Sequence, residues 1–180
     1  MEFCDVVKER RSVRKFQNRP IPDSEIKTLI DLARRAPSSM NGQPWHFVIL
    51  RNDHSKAALA EIKNQFCPPE KKAFQADFMR TAALIMVICV ERARSYGREV
   101  ENGVLAASTI MLAARSLGLG SVYMSAYLTE EPLLSEAIRN ELGIPDTFMP
   151  VSILPIGYPD ETPKRKELVP LEEIVHFERF

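Results

Sequence analysis

The sequence is poor in the residues that mark several large classes of protein. Its three cysteines, Cys4, Cys67 and Cys89, lie far apart and form no CxxC pair, which excludes a disulfide-rich fold and fits a reducing compartment. The three histidines are equally scattered, and no metal-ligand spacing arises. Basic and acidic residues balance at 24 each, without the basic excess typical of a general nucleic-acid binder. The longest strongly apolar stretch, residues 82–90, is about half as long as a membrane span.

Motifs that would identify several enzyme classes are also absent. The chain has no GxxxxGK(S/T) phosphate loop, no GxGxxG dinucleotide turn, no GxSxG nucleophile motif and no HExxH metal motif. Its N-terminal residues are too polar for a secretory signal. We therefore expect a soluble, cytoplasmic protein with no metal site and with neither a membrane nor a nucleic acid as partner.

Hydrophobic periodicity predicts one domain over residues 1–180, with helices and strands in the order αα-β-α-α-β-α-β-α-β. After a short N-terminal helix, the next helix is capped by Asp23 or Ser24 and stopped by Pro37. Thr129 caps a later helix, which Gly143 ends. Strands are predicted at residues 45–50, 82–90, 121–127 and 149–159, and further helices at residues 55–66, 73–80 and 99–117. This order favours an α+β or α/β fold.

The segment ERRSVRKF, residues 9–16, concentrates positive charge in a chain without net charge. Arg10, Arg11 and Arg14 surround Ser12, and guanidinium groups beside a hydroxyl form a natural site for a phosphate monoester. A solvated basic helix end is the plainer interpretation, and base rates favour it for an isolated cluster.

The segment APSSMNGQPWHF joins a predicted helix to a predicted strand. It offers several hydrogen-bonding side chains between two prolines and is suited to bind the amide-like edge of a heterocycle. The same residue types are also ordinary turn formers. Each segment alone is a weak signal.

Together, RRSVRKF and APSSMNGQPWHF resemble the FMN-dependent nitroreductase family of NAD(P)H-dependent flavin oxidoreductases. The similarity continues in LAARSLGLGSVYM and in PIGYPDETPKRKELVPLEEIVHFERF, in the same order along the chain. The resemblance implies an α+β, three-layer fold, with a mainly antiparallel central sheet flanked by helices. It also implies an intertwined homodimer that binds FMN between its subunits.

The resemblance further implies roles for individual residues, all of them contacts to the cofactor. Arg10, Arg11 and Ser12 correspond to contacts at the phosphate and ribityl end, and Arg14 to a contact at the pyrimidine edge. The partner subunit's loop against the cofactor corresponds to Pro37, Ser38, Ser39, Asn41 and Gln43. The strand beside the flavin ring contains Tyr123, Met124 and Ser125.

This chain departs from the family pattern at two places. Many relatives have a Glu-Gly pair where Ser125 and Ala126 stand. Near the C-terminus, Lys166 occupies the first of two basic positions before a proline, but Leu168 occupies the second. Arg165 is expected to substitute for the missing basic group.

The implied activity is hydride transfer from NADH or NADPH, through flavin N5, to nitroaromatics, quinones or similar small-molecule acceptors. No protein side chain is expected to be catalytic, because the cofactor supplies the reactive atom. Two alternatives remain open from the sequence. One is an FMN storage or sensing protein without efficient turnover, and the other is a specialised relative, a reductive dehalogenase or a biosynthetic oxidase.

Overall fold

Within residues 1–67, 75–128, 132–164 and 166–180, which the computed structural model describes, five strands form one antiparallel sheet. The strands are β1 (Trp45–Leu50), β2 (Leu84–Glu91), β3 (Gly120–Ser121), β4 (Met124–Ser125) and β5 (Phe148–Gly157). The helices are α1 (Phe3–Glu9), α2 (Asp23–Ala33), α3 (Asp53–Gln65), α4 (Arg92–Ser95), α5 (Glu99–Ser116) and α6 (Leu133–Leu142). Short 3₁₀ turns occupy Ser39–Asn41, Ala76–Thr81 and Leu171–Glu173.

The two longest strands form the centre of the sheet. The order is β1-β2-β5-β3, and β4 also pairs with β5. Leu84 to Val90 of β2 are all buried, because helices cover both faces of the sheet. A strand buried on both faces has an apolar sequence without alternation, which is how residues 82–90 read.

Successive residues of β2 point to opposite faces and separate two core clusters. Leu84, Met86 and Ile88 pack with residues of α2 and α5, whereas Ile85, Val87 and Cys89 pack with residues of α3 and α6. These three layers confirm the α+β architecture with a central antiparallel sheet that the sequence predicted.

Helix α5 lies against the sheet at very short range. A Cβ atom on Gly103 would stand 2.6 Å from the side chain of Val151 in β5, so only glycine permits this approach. Small residues follow along the same helix face, with Ala106, Ala107 and Ala114 all buried. The helix is followed by Gly118 at φ 78°, as its position in the sequence predicts.

The predicted strand at residues 121–127 is wrong in its continuity, because only β3 and β4 pair there. The carbonyl of Pro155 in β5 accepts from the N–H of Val122 at 3.3 Å. The N–H and C=O of one strand residue point to the same side. Pro155 has no N–H, so it cannot donate a hydrogen bond back to residue 122, and the ladder lacks one bond at this place. The strand breaks between Ser121 and Met124.

Smaller differences concern helix ends. Helix α2 begins after Pro22, which stands in the N-cap position, and neither Asp23 nor Ser24 acts as its side-chain cap. The predicted helix at residues 73–80 is a 3₁₀ turn from Ala76 to Thr81 within the described part of the chain. Gly143 ends α6 in the left-handed conformation as predicted, while the predicted cap Thr129 lies outside the described residues.

Candidate functional site

Residues 10–16, here called the arginine segment, run along the edge of the sheet. The N–H of Val13 donates to the carbonyl of Ser121 at 3.1 Å, and isolated bridges join Ser12 to Ser121 and Phe16 to Pro159. Val13 and Phe16 are buried, whereas Arg14 and Lys15 between them are exposed.

Two glycines let this segment lie close to the sheet. A Cβ atom on Gly120 would stand 2.8 Å from Val13, and one on Gly157 would stand 2.8 Å from Phe16. The Glu161 carboxylate accepts from the N–H groups of Arg14 and Lys15 as well. The backbone that carries the arginines is thus fixed by burial on one side and by a carboxylate on the other.

A cavity of about 390 Å³, here called the arginine cavity, opens beside the first arginines. Arg10 and Arg11 line it together with Arg115 of α5, which forms an ion pair with Glu9. Arg11 also donates to the backbone carbonyls of Lys8 and Arg10, at 2.6 and 2.8 Å. Among the described residues, Arg115 Nε is buried without a hydrogen-bond partner. The cavity therefore brings three guanidinium groups together at one place.

A second cavity of about 500 Å³, here called the Lys63 cavity, lies farther along the same two backbone stretches. Arg14 lines it, and so do the three predicted ring-side residues Tyr123, Met124 and Ser125. The arginine cavity is lined by Gly120 and Ser121 of the same connection. Val13 and Ser121 line the first cavity, and the residues that follow them, Arg14 and Val122, line the second. The two cavities are therefore neighbours.

Lys63 of α3 lines this second cavity, and the sequence reading missed it. Its Nζ donates to the carbonyl of Ser125 at 2.8 Å. Burial lowers the pKa of Lys63, and the nearby Cys67 opposes that shift to a smaller extent. The available signal was its spacing, because Lys63 stands three and four residues after the buried Ala60 and Leu59 and so shares their helix face.

Residues 37–43, here called the polar loop, have an unusual backbone. Met40, Asn41 and Gln43 all have positive φ, at 50°, 52° and 47°. The Ser38 hydroxyl accepts from the N–H of Gln43 at 3.0 Å, and the Asn41 side chain accepts from the Gln43 side chain at 3.3 Å. Although these residues are all described, none of them lines the arginine cavity or the Lys63 cavity of the same chain.

The remaining predicted contacts lie near the C-terminus. Lys166 is exposed and lines neither cavity, and Arg165 lies outside the described residues. Beyond Lys166 the chain carries a series of exposed apolar side chains. They are Leu168, Val169, Leu171, Ile174, Val175, Phe177 and Phe180.

The described part of the chain brings together no group of three or more His, Cys, Asp or Glu side chains that could bind a metal ion. Nor does it contain a helix with the length and apolar character required to cross a membrane.

Comparison with known proteins relates this geometry to a family. Residues 7–158 match the family described as the Nitroreductase family. A Methanothermobacter thermautotrophicus protein, provisionally named NADH dehydrogenase/NAD(P)H nitroreductase, is 33% identical over 182 residues, covering 100% of this chain and 88% of its own length. A Bacillus subtilis protein named FMN reductase (NAD(P)H) is 27% identical and covers 99% of this chain and 74% of its own length.

The fold comparison agrees with the sequence comparison. The solved structure of an FMN-dependent nitroreductase from Clostridium difficile R20291 matches with a TM-score of 0.84 at 26% identity, covering 97% of this chain and 98% of that one. The resemblance that the two short motifs indicated is confirmed over most of the chain. This protein belongs to the nitroreductase family.

Proposed function

We propose that this chain is an oxidoreductase in which two copies bind FMN between them and pass hydride from NADH or NADPH to nitroaromatic, quinone or similar acceptors. The supporting observation is a pair of neighbouring cavities in one chain, one lined by guanidinium groups and the other by Arg14 and Lys63. When bound, FMN supplies the redox chemistry by accepting hydride and then releasing it to the acceptor. The protein binds and orients the cofactor and places positive charge beside it.

The arginine cavity fits the phosphate of FMN. Arg10, Arg11 and Ser12 would contact the phosphate and the ribityl chain, as the sequence motif implies. Arg115 adds a third guanidinium to this end of the site, and it would strengthen the attraction for a phosphate. Lys166 and Arg165 are proposed to complete this end from the C-terminal segment.

The Lys63 cavity fits the ring of FMN. Tyr123, Met124 and Ser125 would flank the ring, and Arg14 would face its pyrimidine edge. Lys63 is partly desolvated, which lowers its pKa, so an electron-rich ring edge would stabilise its charged form. Two cations at this edge favour negative charge on the ring, which is the electrostatic contribution expected of the protein.

The polar loop is proposed to serve the cofactor of the partner subunit. Pro37, Ser38, Ser39, Asn41 and Gln43 lie outside both cavities of their own chain, although their conformation is defined. The homodimer would also cover exposed apolar side chains of α1 and of the C-terminal segment, Phe3, Val7, Phe177 and Phe180 among them. A site built from two chains accounts for these exposed surfaces and for the loop together.

The first test is spectroscopic. The purified protein is expected to carry close to one FMN per chain, to bleach with NADH or NADPH without oxygen, and to recover its colour on addition of a nitroaromatic or a quinone. Arg14→Ala is expected to weaken FMN binding at least about tenfold, the effect of losing one charge-assisted hydrogen bond. Arg35→Ala, which removes an exposed arginine of an ion pair with Asp31, is the matched control.

Two results would count against the proposal. Normal FMN affinity in Arg14→Ala would mean that the ring does not occupy the Lys63 cavity. FMN that is bound but bleaches with neither nucleotide would favour a storage or sensing protein.

A further inference from the structure

The polar loop has a conformation that it cannot maintain alone. Left-handed backbone at Met40, Asn41 and Gln43 costs free energy, because none of the three is glycine. The hydrogen bonds inside the loop, such as that from the Gln43 N–H to the Ser38 hydroxyl, are exposed to water and contribute little net stability. Contacts with the rest of the chain must fix the loop.

Asn102, in the first turn of α5, provides the principal polar contact. Its side chain is buried, with 1% of the residue exposed. Its Oδ1 accepts from the N–H of Ser39 at 2.9 Å, and its Nδ2 donates to the carbonyl of Ser95 at 3.2 Å. A flipped amide would place two donors and two acceptors against each other, so this orientation is specified. A buried amide is stable only when it is hydrogen-bonded. Asn102 therefore favours loop positions in which the N–H of Ser39 can donate to its side-chain oxygen.

Ser95 in turn is fixed within the corner between α4 and α5. It is fully buried, and its hydroxyl oxygen lies 2.8 Å from the carbonyl oxygen of Arg92 and 2.9 Å from the Glu99 carboxylate, with one hydrogen to share between these two acceptors. The polar path therefore runs from Glu99 through Ser95 and Asn102 to the backbone of Ser39. The loop is attached to a corner that is itself well defined.

Gly42 makes a second contact with the same corner. A Cβ atom at this position would lie 2.1 Å from the carbonyl oxygen of Arg94 and 3.1 Å from the Tyr96 ring. The loop backbone thus lies directly on the α4–α5 corner, and a side chain at Gly42 would lift it. Ser39 and Gly42, on either side of the left-handed Met40 and Asn41, are the two points of attachment.

From this arrangement we propose that Asn102 is the positioning residue of the polar loop. Its buried amide fixes Ser39, and through Ser39 it holds Asn41 and Gln43 in the geometry in which they meet the flavin of the partner subunit. The inference rests on the proposed function for the role of the loop, but not for its attachment. Asn102 does not contact the cofactor and acts only through the loop.

The experiment measures attachment and binding separately. Amide hydrogen exchange over residues 38–43 in the FMN-free protein is expected to accelerate at least about tenfold in Asn102→Ala, since the Ser39 N–H loses its acceptor. The FMN dissociation constant is expected to rise by about tenfold, with turnover at saturating FMN close to wild type. Asn140→Ala, at an exposed asparagine of α6, is the matched control and should change neither.

A double-mutant cycle distinguishes positioning from general destabilisation. If Asn102 acts through the loop, Asn102→Ala should weaken FMN binding less than about threefold when Asn41→Ala is already present. Full additivity would overturn the proposal, and so would unchanged exchange at Ser39 in a folded Asn102→Ala protein. If that variant does not fold, Gly42→Ala displaces the loop from its other attachment and should give the same pattern of exchange and affinity.

The two hypotheses fail differently. A wild-type protein that binds no FMN would contradict the proposed function, yet hydrogen exchange would still test Asn102. A wild-type protein that binds FMN, with an Asn102→Ala variant that binds it equally well, would contradict only the positioning role.

Discussion

The arginine segment and the polar loop are both short, polar connections, but the protein fixes them by opposite means. In the arginine segment, buried side chains hold the backbone in place, with Val13 and Phe16 packed on Gly120 and Gly157. In the polar loop, the backbone itself is held in a left-handed conformation by the buried amide of Asn102. The first arrangement leaves Arg14 and Lys15 exposed between two buried side chains, and the second presents several polar residues close together in sequence.

The two regions also differ in what they face. The arginine segment lines cavities of its own chain, whereas the polar loop lines neither of them. This difference supports the proposal that each chain contributes a cavity to one site and a loop to the other.

The strongest test of this comparison places a cavity defect on one chain of the dimer and a loop defect on the other. One chain carries Arg14→Ala with Lys63→Met, and the other carries Asn41→Ala with Gln43→Ala. In a heterodimer, one of the two sites combines an intact cavity with an intact loop. Each parent homodimer should be nearly inactive, while the heterodimer should recover about half of the wild-type activity per dimer.

Differently tagged chains, co-expressed and purified through both tags, would give the heterodimer for this measurement. A heterodimer of two chains with the same cavity defect is the control and should stay inactive. Activity no higher than the average of the two parents would show that each chain forms its own complete site.

A smaller effect is expected when only the arginine segment is disturbed and the polar loop is left unchanged. Gly120→Ala forces a Cβ atom to within 2.8 Å of Val13, so we expect the free energy of unfolding to fall. Overpacking of this kind costs about 1–3 kcal/mol. FMN affinity should fall too, because Arg14 follows Val13 directly. Denaturant unfolding and flavin titration measure the two quantities.

Val13→Ala in the same chain is the informative control, since it removes the Cγ1 and Cγ2 contacts, although the Cβ contact at 2.8 Å remains, and should restore part of both losses. Hydrogen exchange should accelerate around residues 10–16 and remain unchanged in the polar loop. Equal acceleration in both regions would mean that they are not independently anchored.

The parts of this structure that depend on local pattern could be predicted from the sequence. The continuous apolar run at residues 82–90 indicated the central strand β2, and Gly118 and Gly143 indicated two helix ends. The family resemblance depended on two short segments, and it identified residues that do line the two cavities. These features can be read from the sequence because each depends on one continuous stretch of chain.

Contacts between distant parts of the chain could not be predicted in this way. Lys63 reaches the carbonyl of Ser125, and Asn102 reaches the N–H of Ser39, but in sequence each is only a polar residue in a helix. The break between β3 and β4 depends on Pro155 of a neighbouring strand. In each case the deciding partner belongs to another element, whose position is set only by the complete fold.

The smallest effect that we predict is a difference between the two regions in how the free energy of unfolding depends on pH. The predicted contact residues of the polar loop carry no titratable side chain, whereas the cavity contains Lys63, whose pKa burial lowers from 10.5. Between that lowered pKa and 10.5 the unfolded chain binds more protons at this residue than the folded chain does. The contribution of Lys63 to the free energy of unfolding of the FMN-free protein should therefore rise with pH through this window.

Denaturant unfolding at several pH values can isolate this contribution as the difference between wild type and Lys63→Met. The difference should shift in favour of wild type as pH approaches 10.5, with Lys27→Met as the control for loss of an exposed ammonium group on α2. Bound FMN should reduce the slope, because an electron-rich ring edge beside Lys63 favours its charged form. The same slope with and without FMN would mean that the ring does not approach Lys63, and the assignment of this cavity to the ring would be wrong.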